Sequence, residues 1–215
     1  MRTKSLLQDQ TYNTIIEQIY AHELVPGVLY SETKIASQLG TSRTPLREAL
    51  QCLAQDGYIT ILPSRGFMIR TLNEQDMKET IQIRCALEGF CIRYLADEAG
   101  SERYDDLLRK LPASWQNMDA ARTSPDFPES FVKYDHEFHF RILEYVGNQE
   151  MLQLFRRSMY LIFLTSTATL NVPGRTESTL NEHKAVLDCL MKHDKEGAYR
   201  HLMEHLKLPL DMMTF

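Results

Sequence analysis

Residues 31–59, SETKIASQLGTSRTPLREALQCLAQDGYI, decide the fold of the first part of the chain. Ser31 precedes a short run of helical periodicity that stops at Gly40, and Ser42 opens a second run that continues to Gly57. In the second run the apolar residues recur every three or four positions, as they do on one face of a helix. Two helices joined by a tight glycine turn form a helix-turn-helix, and this is the predicted motif.

The flanking segments complete a small domain. Residues 10–24 carry apolar side chains at helical spacing, which predicts a first helix before a Pro-Gly pair. Residues 58–72, YITILPSRGFMIRTL, contain two β-prone runs around residues 63–66, and this predicts a hairpin with a basic tip. Such a hairpin beside a helix-turn-helix is a wing. Residues 1–72 are therefore predicted to form a winged helix-turn-helix domain.

The periodicity after Leu72 is helical throughout. Asn73 is expected to cap a long helix that continues to about Gly100. Further helices are predicted at residues 102–121, 128–146, 148–171, 176–193 and 195–208. The predicted protein is mainly α. Residues 73–215, which follow the winged domain in the sequence, are predicted to form an all-α bundle of about six helices.

Composition limits the class of protein. The 215 residues, 43% of them hydrophobic, suffice for two modest domains. No apolar run approaches the ~20 residues of a membrane span, and the N-terminus lacks the apolar stretch of a secretory signal. The four cysteines form no C-x-x-C pair. We therefore expect a cytoplasmic protein with reduced cysteines and no membrane partner.

The net charge of −5 is unevenly distributed. Residues 1–72 hold seven Lys and Arg against six Asp and Glu, whereas the remainder of the chain is acidic. Local cations neutralise phosphate, and an acidic bundle is repelled by it. Contact with double-stranded DNA is therefore expected only in the N-terminal domain.

The second helix of the motif carries candidate DNA-binding residues. If Ser42 caps this helix, Arg43, Thr44 and Arg47 occupy its first turns, which face the base edges when such a helix enters the major groove. Arg43 and Arg47 are four residues apart, and each guanidinium would bind a guanine bidentately or a phosphate. Arg65 at the wing tip would reach the flanking groove. The alternative is a small helical domain with solvated arginines.

Residues 26–69 resemble the DNA-binding domain of the GntR family of transcription factors in order and spacing, including the S-R-T-P-x-R-E-A-L core. The DNA-contacting residues that this resemblance implies are Ser42, Arg43, Thr44, Arg47, Arg65 and Gly66. Thr33 departs from the pattern, because FadR-type regulators have a DNA-contacting arginine at this position.

A second group of candidate residues lies in the helical domain. Asp135 and His139 are four residues apart on one helix and share a face. His183 and His205 lie on either side of a helix break at residues 193–194, so an antiparallel hairpin would bring them to the same height. One carboxylate and three imidazoles suit Zn²⁺, Ni²⁺, Mn²⁺ or Fe²⁺, with room left for water or a ligand. A histidine taken alone more often has a structural or exposed role than a metal-binding one.

Residues 73–208 resemble the FCD effector-binding domain of the FadR branch of the GntR family, through D-x-x-x-H, then E-H-x-x-x-L, then H-L near the C-terminus. The resemblance implies a divalent metal at the floor of a bundle cavity, with Zn²⁺ expected in the isolated protein, and a homodimer formed mainly through this domain. The implied ligands are Asp135, His139, His183 and His205. His201 lies one turn before His205, but the family spacing favours His205.

Arg84, in the run IQIRCALEGF, matches the R-x-x-L-E motif of that domain. Its planar guanidinium would pair with a carboxylate effector in the cavity. The alternative is an ion pair with Glu88, four residues further along the helix. Asn181, Glu182 and Arg141 are additional candidates for the lining of the pocket.

These features predict a DNA-binding transcriptional repressor whose operator affinity is changed by a small carboxylate effector bound near the metal. A metal-dependent enzyme acting on a small organic acid is the rival function, since similar ligand sets occur in hydrolases and oxygenases. No separate base or nucleophile with a supporting motif accompanies the set, so the chain is not expected to be an enzyme. A purely structural zinc protein would leave the helix-turn-helix and the wing unexplained.

Overall fold

The computed structural model describes residues 6–212, which fall into two compact units divided between Leu72 and Asn73. The predicted fold class is confirmed: a small winged helix-turn-helix unit precedes an all-α bundle. None of the helices in the described range combines the length and the apolar character needed to cross a membrane.

The N-terminal unit contains three helices and a small antiparallel sheet within its described residues. Its elements are α1 (Leu6–Tyr20), β1 (Leu29–Tyr30), α2 (Glu32–Gln38), α3 (Arg43–Gln55), β2 (Ile59–Leu62) and β3 (Gly66–Ile69). The central strand β3 pairs with both β1 and β2, in the order β1-β3-β2. The two-residue strand β1 was not predicted, because only its pairing with β3 defines it. Helix α1 ends at Tyr20, earlier than the periodicity predicted.

The wing depends on a glycine. Gly66 begins β3 with φ of 125°, a backbone conformation that L residues rarely adopt. A Cβ atom there would lie 2.0 Å from the carbonyl oxygen of Tyr30. The sheet therefore closes onto β1 only with glycine at this position.

The C-terminal unit is a bundle of six helices within residues 73–212. They are α4 (Glu74–Asp97), α5 (Glu102–Ala121), α6 (Glu129–Val146), α7 (Gln149–Leu170), α8 (Arg175–Met191) and α9 (Lys195–Met212). Asn73 caps α4 as predicted, because its side chain accepts a hydrogen bond from the backbone N–H of Asp76. Helix α9 runs through Pro209, beyond its predicted end.

Large apolar side chains at helical spacing fill the centre of the bundle. Phe138 on α6 and Phe155 on α7 are fully buried, as are Leu95 and Leu111. Tyr104 is also fully buried, and its hydroxyl donates a hydrogen bond to the carbonyl of Leu190. Burial of each large apolar side chain contributes about 1.5–3 kcal/mol to the free energy of folding. The core therefore stabilises the helices that carry the polar site described below.

Candidate metal centre and DNA-binding surface

Four buried side chains from three helices converge in the bundle. Asp135 and His139 lie on α6, His183 on α8 and His205 on α9. One ligand atom from each of the four lies within 4.8 Å of the others. The antiparallel packing of α8 against α9 brings the last two together, as the spacing around residues 193–194 predicted. The neighbouring His136 is buried but does not belong to the group.

The Nε2 atoms of the three histidines point at one another. Nε2 of His139 lies 3.1 Å from Nε2 of His183 and 3.1 Å from Nε2 of His205. Nε2 of His183 also lies 3.2 Å from Oδ1 of Asp135. The group therefore brings three ring nitrogens and one carboxylate oxygen to a common point.

Each histidine is oriented through its other ring nitrogen. Nδ1 of His139 lies 2.6 Å from Oε2 of Glu88, and Nδ1 of His205 lies 2.7 Å from Oε2 of Glu182. Nδ1 of His183 lies 2.7 Å from the carbonyl oxygen of Thr179. A carbonyl oxygen only accepts hydrogen bonds, so Nδ1 of His183 carries the hydrogen.

The two glutamates are also acceptors. Burial would raise the pKa of Glu88, but Arg84 and His139 lower it to about 2. Burial would likewise raise the pKa of Glu182, and its hydrogen bonds with His205 and Arg175 lower it to about 2. Both carboxylates are therefore ionised at neutral pH, and the histidines that face them donate through Nδ1.

This tautomer fits a metal ion. Burial lowers the pKa of His139 and lowers that of His205 to about 3, so these rings are neutral and their single hydrogen is on Nδ1. The converging Nε2 atoms are then lone-pair acceptors that face one another without a hydrogen between them. A divalent cation satisfies such a set, and neutral imidazoles oriented by carboxylates and a carbonyl are the usual ligands of Zn²⁺ and its neighbours.

A cavity adjoins this group, with an empty volume of about 500 Å³ that includes its opening to solvent. Asp135 and His205 form part of its wall, so an ion held by the four ligands would border it. Five hydroxyl side chains also line the wall: Thr80 on α4, Thr165, Ser166 and Thr169 on α7, and Thr179 on α8.

Arg84 is buried in the wall of this cavity. Its Nε atom donates to Oε1 of Glu88 at 2.7 Å, which is the ion pair weighed against an effector contact in the sequence. Its Nη2 atom is buried and has no hydrogen-bond partner among the described residues. The ion pair with Glu88 therefore leaves Nη2 of the guanidinium without a hydrogen-bond acceptor.

Arg175, which sequence reasoning missed, has a corresponding arrangement. It begins α8, is 4% exposed and lines the same cavity. Its Nη1 atom donates to Oε1 of Glu182 at 2.6 Å, and its Nε atom is buried without a partner within residues 6–212. No pattern in the sequence indicates this role, because Arg175 directly follows the Pro-Gly break, where a solvated residue in the first turn of a helix is expected.

Of the additional residues predicted to line the pocket, only one lies beside the cavity. Glu182 lies beside the cavity through its bonds to Arg175 and His205. Asn181 is exposed, and Arg141 is engaged by Ser114 and Glu137 outside the cavity wall. His201, the alternative to His205, is outside the four-residue group.

The predicted DNA-binding residues of the N-terminal unit lie where the motif requires. Ser42 precedes α3 with an extended backbone, although its hydroxyl makes no capping hydrogen bond in the described structure. Arg43, Thr44 and Arg47 follow in the first turns of α3 and are exposed. Nε of Arg47 lies 2.7 Å from Oε2 of Glu32 on α2, an ion pair that the sequence did not predict.

The wing presents one further cation. Arg65 is exposed in the turn between β2 and β3, whereas Gly66 is buried against β1. The surface that α3 and the wing offer thus includes three exposed arginines, which are Arg43, Arg47 and Arg65.

Known protein families match both units. The family described as "Bacterial regulatory proteins, gntR family" matches residues 7–69, and the FCD domain matches residues 79–208. The second match alone covers more than half of the chain. Both resemblances inferred from the sequence are thereby confirmed.

Individual relatives are similar over most of their length. The HTH-type transcriptional regulator YdhC of Bacillus subtilis is 27% identical over 196 residues, covering 91% of this chain and 86% of the relative. The probable D-xylose utilization operon transcriptional repressor of Paenarthrobacter nicotinovorans is 26% identical, covering 95% and 87%.

Among solved structures, the Zn²⁺-bound FCD domain of TM0439 has 28% identity and a TM-score of 0.51, covering 66% of this chain and 93% of that one. The family and these relatives are transcriptional regulators, which decides against the alternative of a metal-dependent enzyme. The chain belongs to the GntR family of bacterial regulatory proteins, carries an FCD domain, and is a DNA-binding transcriptional regulator.

Proposed function

We propose that this regulator is a homodimeric repressor whose affinity for a palindromic operator changes when a small carboxylate effector binds beside a divalent metal in the bundle. The observation that carries the proposal is the cavity. Its wall combines two of the four converging ligands, Asp135 and His205, with the unpaired guanidinium nitrogen of Arg84.

The metal part of the proposal assigns Asp135, His139, His183 and His205 as ligands. The convergence of buried acceptors supports it, as does the Zn²⁺ in the similar FCD domain of TM0439. A bound divalent cation would supply positive charge and coordination positions for a carboxylate oxygen. It would also tie α6, α8 and α9 together.

The effector part rests on Arg84. A buried N–H without an acceptor costs about 1–3 kcal/mol, and buried polar groups left open in this way are concentrated at functional sites. A carboxylate is the acceptor that best matches a guanidinium, because it forms short charge-assisted hydrogen bonds. The proposed effector therefore has a carboxylate that reaches both Nη2 of Arg84 and the metal.

The operator part assigns DNA contacts to Ser42, Arg43, Thr44, Arg47 and the wing at residues 65–66. One short recognition helix reads only a few base pairs, so specific binding requires two copies related by a twofold axis. The similar repressor of D-xylose utilization supports the direction of the response, in which binding to DNA silences transcription.

A stripe on α4 is the proposed contact between the two copies. Ile83, Phe90 and Tyr94 are exposed apolar residues, with the half-buried Leu87 between them. Their spacing of four, three and four residues is that of a coiled-coil seam, whose natural occupant is another helix with the same spacing. A second copy of α4 meets this requirement through a twofold axis.

The test measures operator affinity by fluorescence anisotropy with metal-loaded protein, using DNA selected from random sequence by the protein itself. A panel of small carboxylates is then titrated against the complex. We expect a palindromic selected site and at least one acid that weakens binding, with the effect abolished by a chelator. Selection of a non-symmetric site, or a response that is unchanged without metal, would contradict the proposal.

A further inference from the structure

Arg47 differs from the other two exposed arginines of the N-terminal unit because it has a partner on another helix. Its Nε atom donates to Oε2 of Glu32 at 2.7 Å, and Glu32 is the first residue of α2. Arg43 and Arg65 make no ion pair within residues 6–212. One of the three arginines is therefore held by a neighbouring element, and the other two are not.

The ion pair contributes little to the stability of the unit. The Arg47 side chain is 56% exposed, and solvent and salt screen an ion pair that is open to water. The Glu32 side chain is only 21% exposed, so it is the more restrained partner. Glu32 thus acts as a fixed acceptor, and Arg47 is the side chain whose freedom the contact limits.

The contact uses only one part of the guanidinium. Nε of Arg47 donates to Glu32, whereas Nη1 and Nη2 form no hydrogen bond within the described part of the chain. Two N–H donors on one edge of a guanidinium match O6 and N7 of guanine in the major groove. The ion pair therefore leaves available an edge of Arg47 that can read a base.

The Glu32 carboxylate also changes how Arg47 would bind phosphate. Attraction to phosphate depends on the local charge, and this carboxylate offsets the charge of Arg47. A bidentate contact with a base depends instead on the orientation of the guanidinium. A side chain that is already held in place loses less entropy when such a contact forms. The ion pair thus favours contact with a base over contact with a phosphate.

We propose that Glu32 is a positioning residue for operator recognition, which orients Arg47 toward a guanine in the major groove and weakens its attraction to phosphate. The inference rests on the operator part of the proposed function, because it takes a DNA contact by Arg47 as given. Removal of the Glu32 carboxylate should therefore reduce discrimination at the one guanine that Arg47 contacts, and leave the other positions of the operator unchanged.

The test is a scan of the selected operator with 7-deazaguanine, which lacks the N7 acceptor. Each guanine of the half-site is replaced in turn in both half-sites, and fluorescence anisotropy measures binding by the full-length, Zn²⁺-loaded protein without effector. We expect a loss of about tenfold or more at the guanine that Arg47 contacts, since a hydrogen bond from a charged group is removed.

Glu32→Gln should lower the affinity for the unmodified operator about 2- to 10-fold, because an unrestrained Arg47 loses more entropy on binding. The loss caused by 7-deazaguanine should shrink by a similar factor at one guanine of the half-site and stay the same at the others. Affinity for scrambled DNA should be unchanged or higher, since the substitution removes a negative charge.

Glu48→Gln is the matched control. Glu48 directly follows Arg47 on α3 and makes no ion pair within residues 6–212. The control therefore removes the same charge from the same surface region and leaves the contact with Glu32 intact. It should show the same losses with 7-deazaguanine as the unaltered protein. An equal change in both variants would assign the effect to net charge and overturn the inference.

The other outcomes separate the inference from the proposed function. A guanine that is sensitive to the loss of N7 to the same degree in the unaltered protein and in Glu32→Gln would overturn the positioning role alone. A loss of affinity by Glu32→Gln that is equal for operator and scrambled DNA would show a merely structural role. If no guanine is sensitive in the unaltered protein, the base contact assigned to Arg47 is wrong as well.

Discussion

Glu88 binds His139 through one carboxylate oxygen and Arg84 through the other, at 2.6 Å and 2.7 Å. A residue on α4 thereby orients a candidate metal ligand on α6 and holds a cavity arginine at the same time. Substitution of Glu88 should therefore change both the affinity for the metal and the affinity for a ligand in the cavity.

Glu88→Gln should weaken Zn²⁺ binding about 10- to 100-fold, because the neutral amide polarises His139 less and leaves the Arg84 charge uncompensated. Competition with a chromophoric chelator measures the change. Glu137→Gln on α6 is the control, since Glu137 pairs with Arg141 away from the metal group. Equal Zn²⁺ affinity in both variants would show that the His139 contact has no effect on the metal.

Removal of a ligand should destabilise the bundle as well as lower its metal content. His183→Ala or His205→Ala should reduce Zn²⁺ occupancy and abolish the rise in unfolding temperature that we expect Zn²⁺ to give the unaltered protein. At a free Zn²⁺ concentration 100 times Kd, binding adds about 2.7 kcal/mol to the free energy of unfolding. Differential scanning calorimetry with and without Zn²⁺ measures it, and operator affinity without effector is expected to be retained. A full Zn²⁺-dependent rise in either variant would exclude that histidine.

Arg47→Ala should abolish specific operator binding, since a bidentate contact to a base contributes about 1–3 kcal/mol of discrimination. Arg47→Lys retains the charge but not the planar fork, so it should bind DNA with little preference for the operator. Anisotropy titrations with operator and scrambled DNA distinguish the two effects. Operator preference of normal size in Arg47→Lys would assign the residue to phosphate instead.

Phe90→Glu should convert the proposed dimer into a monomer, because it places a charge in the centre of the proposed α4 seam. Analytical ultracentrifugation at micromolar concentration should change from about 50 kDa, twice the 25.0 kDa chain, to one chain mass. Leu154→Glu on α7 is the control, since Leu154 is similarly exposed outside the seam. If both variants remain dimeric, the copies meet elsewhere.

Gly66→Ala should destabilise the N-terminal unit more than Gly40→Ala. Both glycines have positive φ, so both substitutions carry a backbone strain of about 1–3 kcal/mol. Only at Gly66 would the new Cβ also collide with backbone, at Tyr30, whereas the space beside Gly40 is open. Urea unfolding should rank them in this order, and the reverse order would contradict the tight approach of β3 to β1.

The sequence predicted the parts of the site that follow helical spacing. Asp135 and His139 share a face by their separation of four residues, and the turn at residues 193–194 aligned His183 with His205. The partners that orient these rings were not predictable, because Glu88 lies 51 positions from His139 and nothing local connects them. The same holds for strand β1, whose two residues form a strand only by pairing with β3.

The two glutamates that each bind a histidine and an arginine affect how the regulator would respond to metal and effector concentrations. Glu88 and Glu182 each join one of the converging histidines to a cavity arginine. Under the proposed function, metal binding and effector binding would therefore be linked thermodynamically. Such linkage is reciprocal: whatever the metal does to the affinity for the acid, the acid does to the affinity for the metal. Operator release by the regulator would then depend on the concentration of the metal and the concentration of the acid together. A cell short of the metal would require more of the acid to release the same operator.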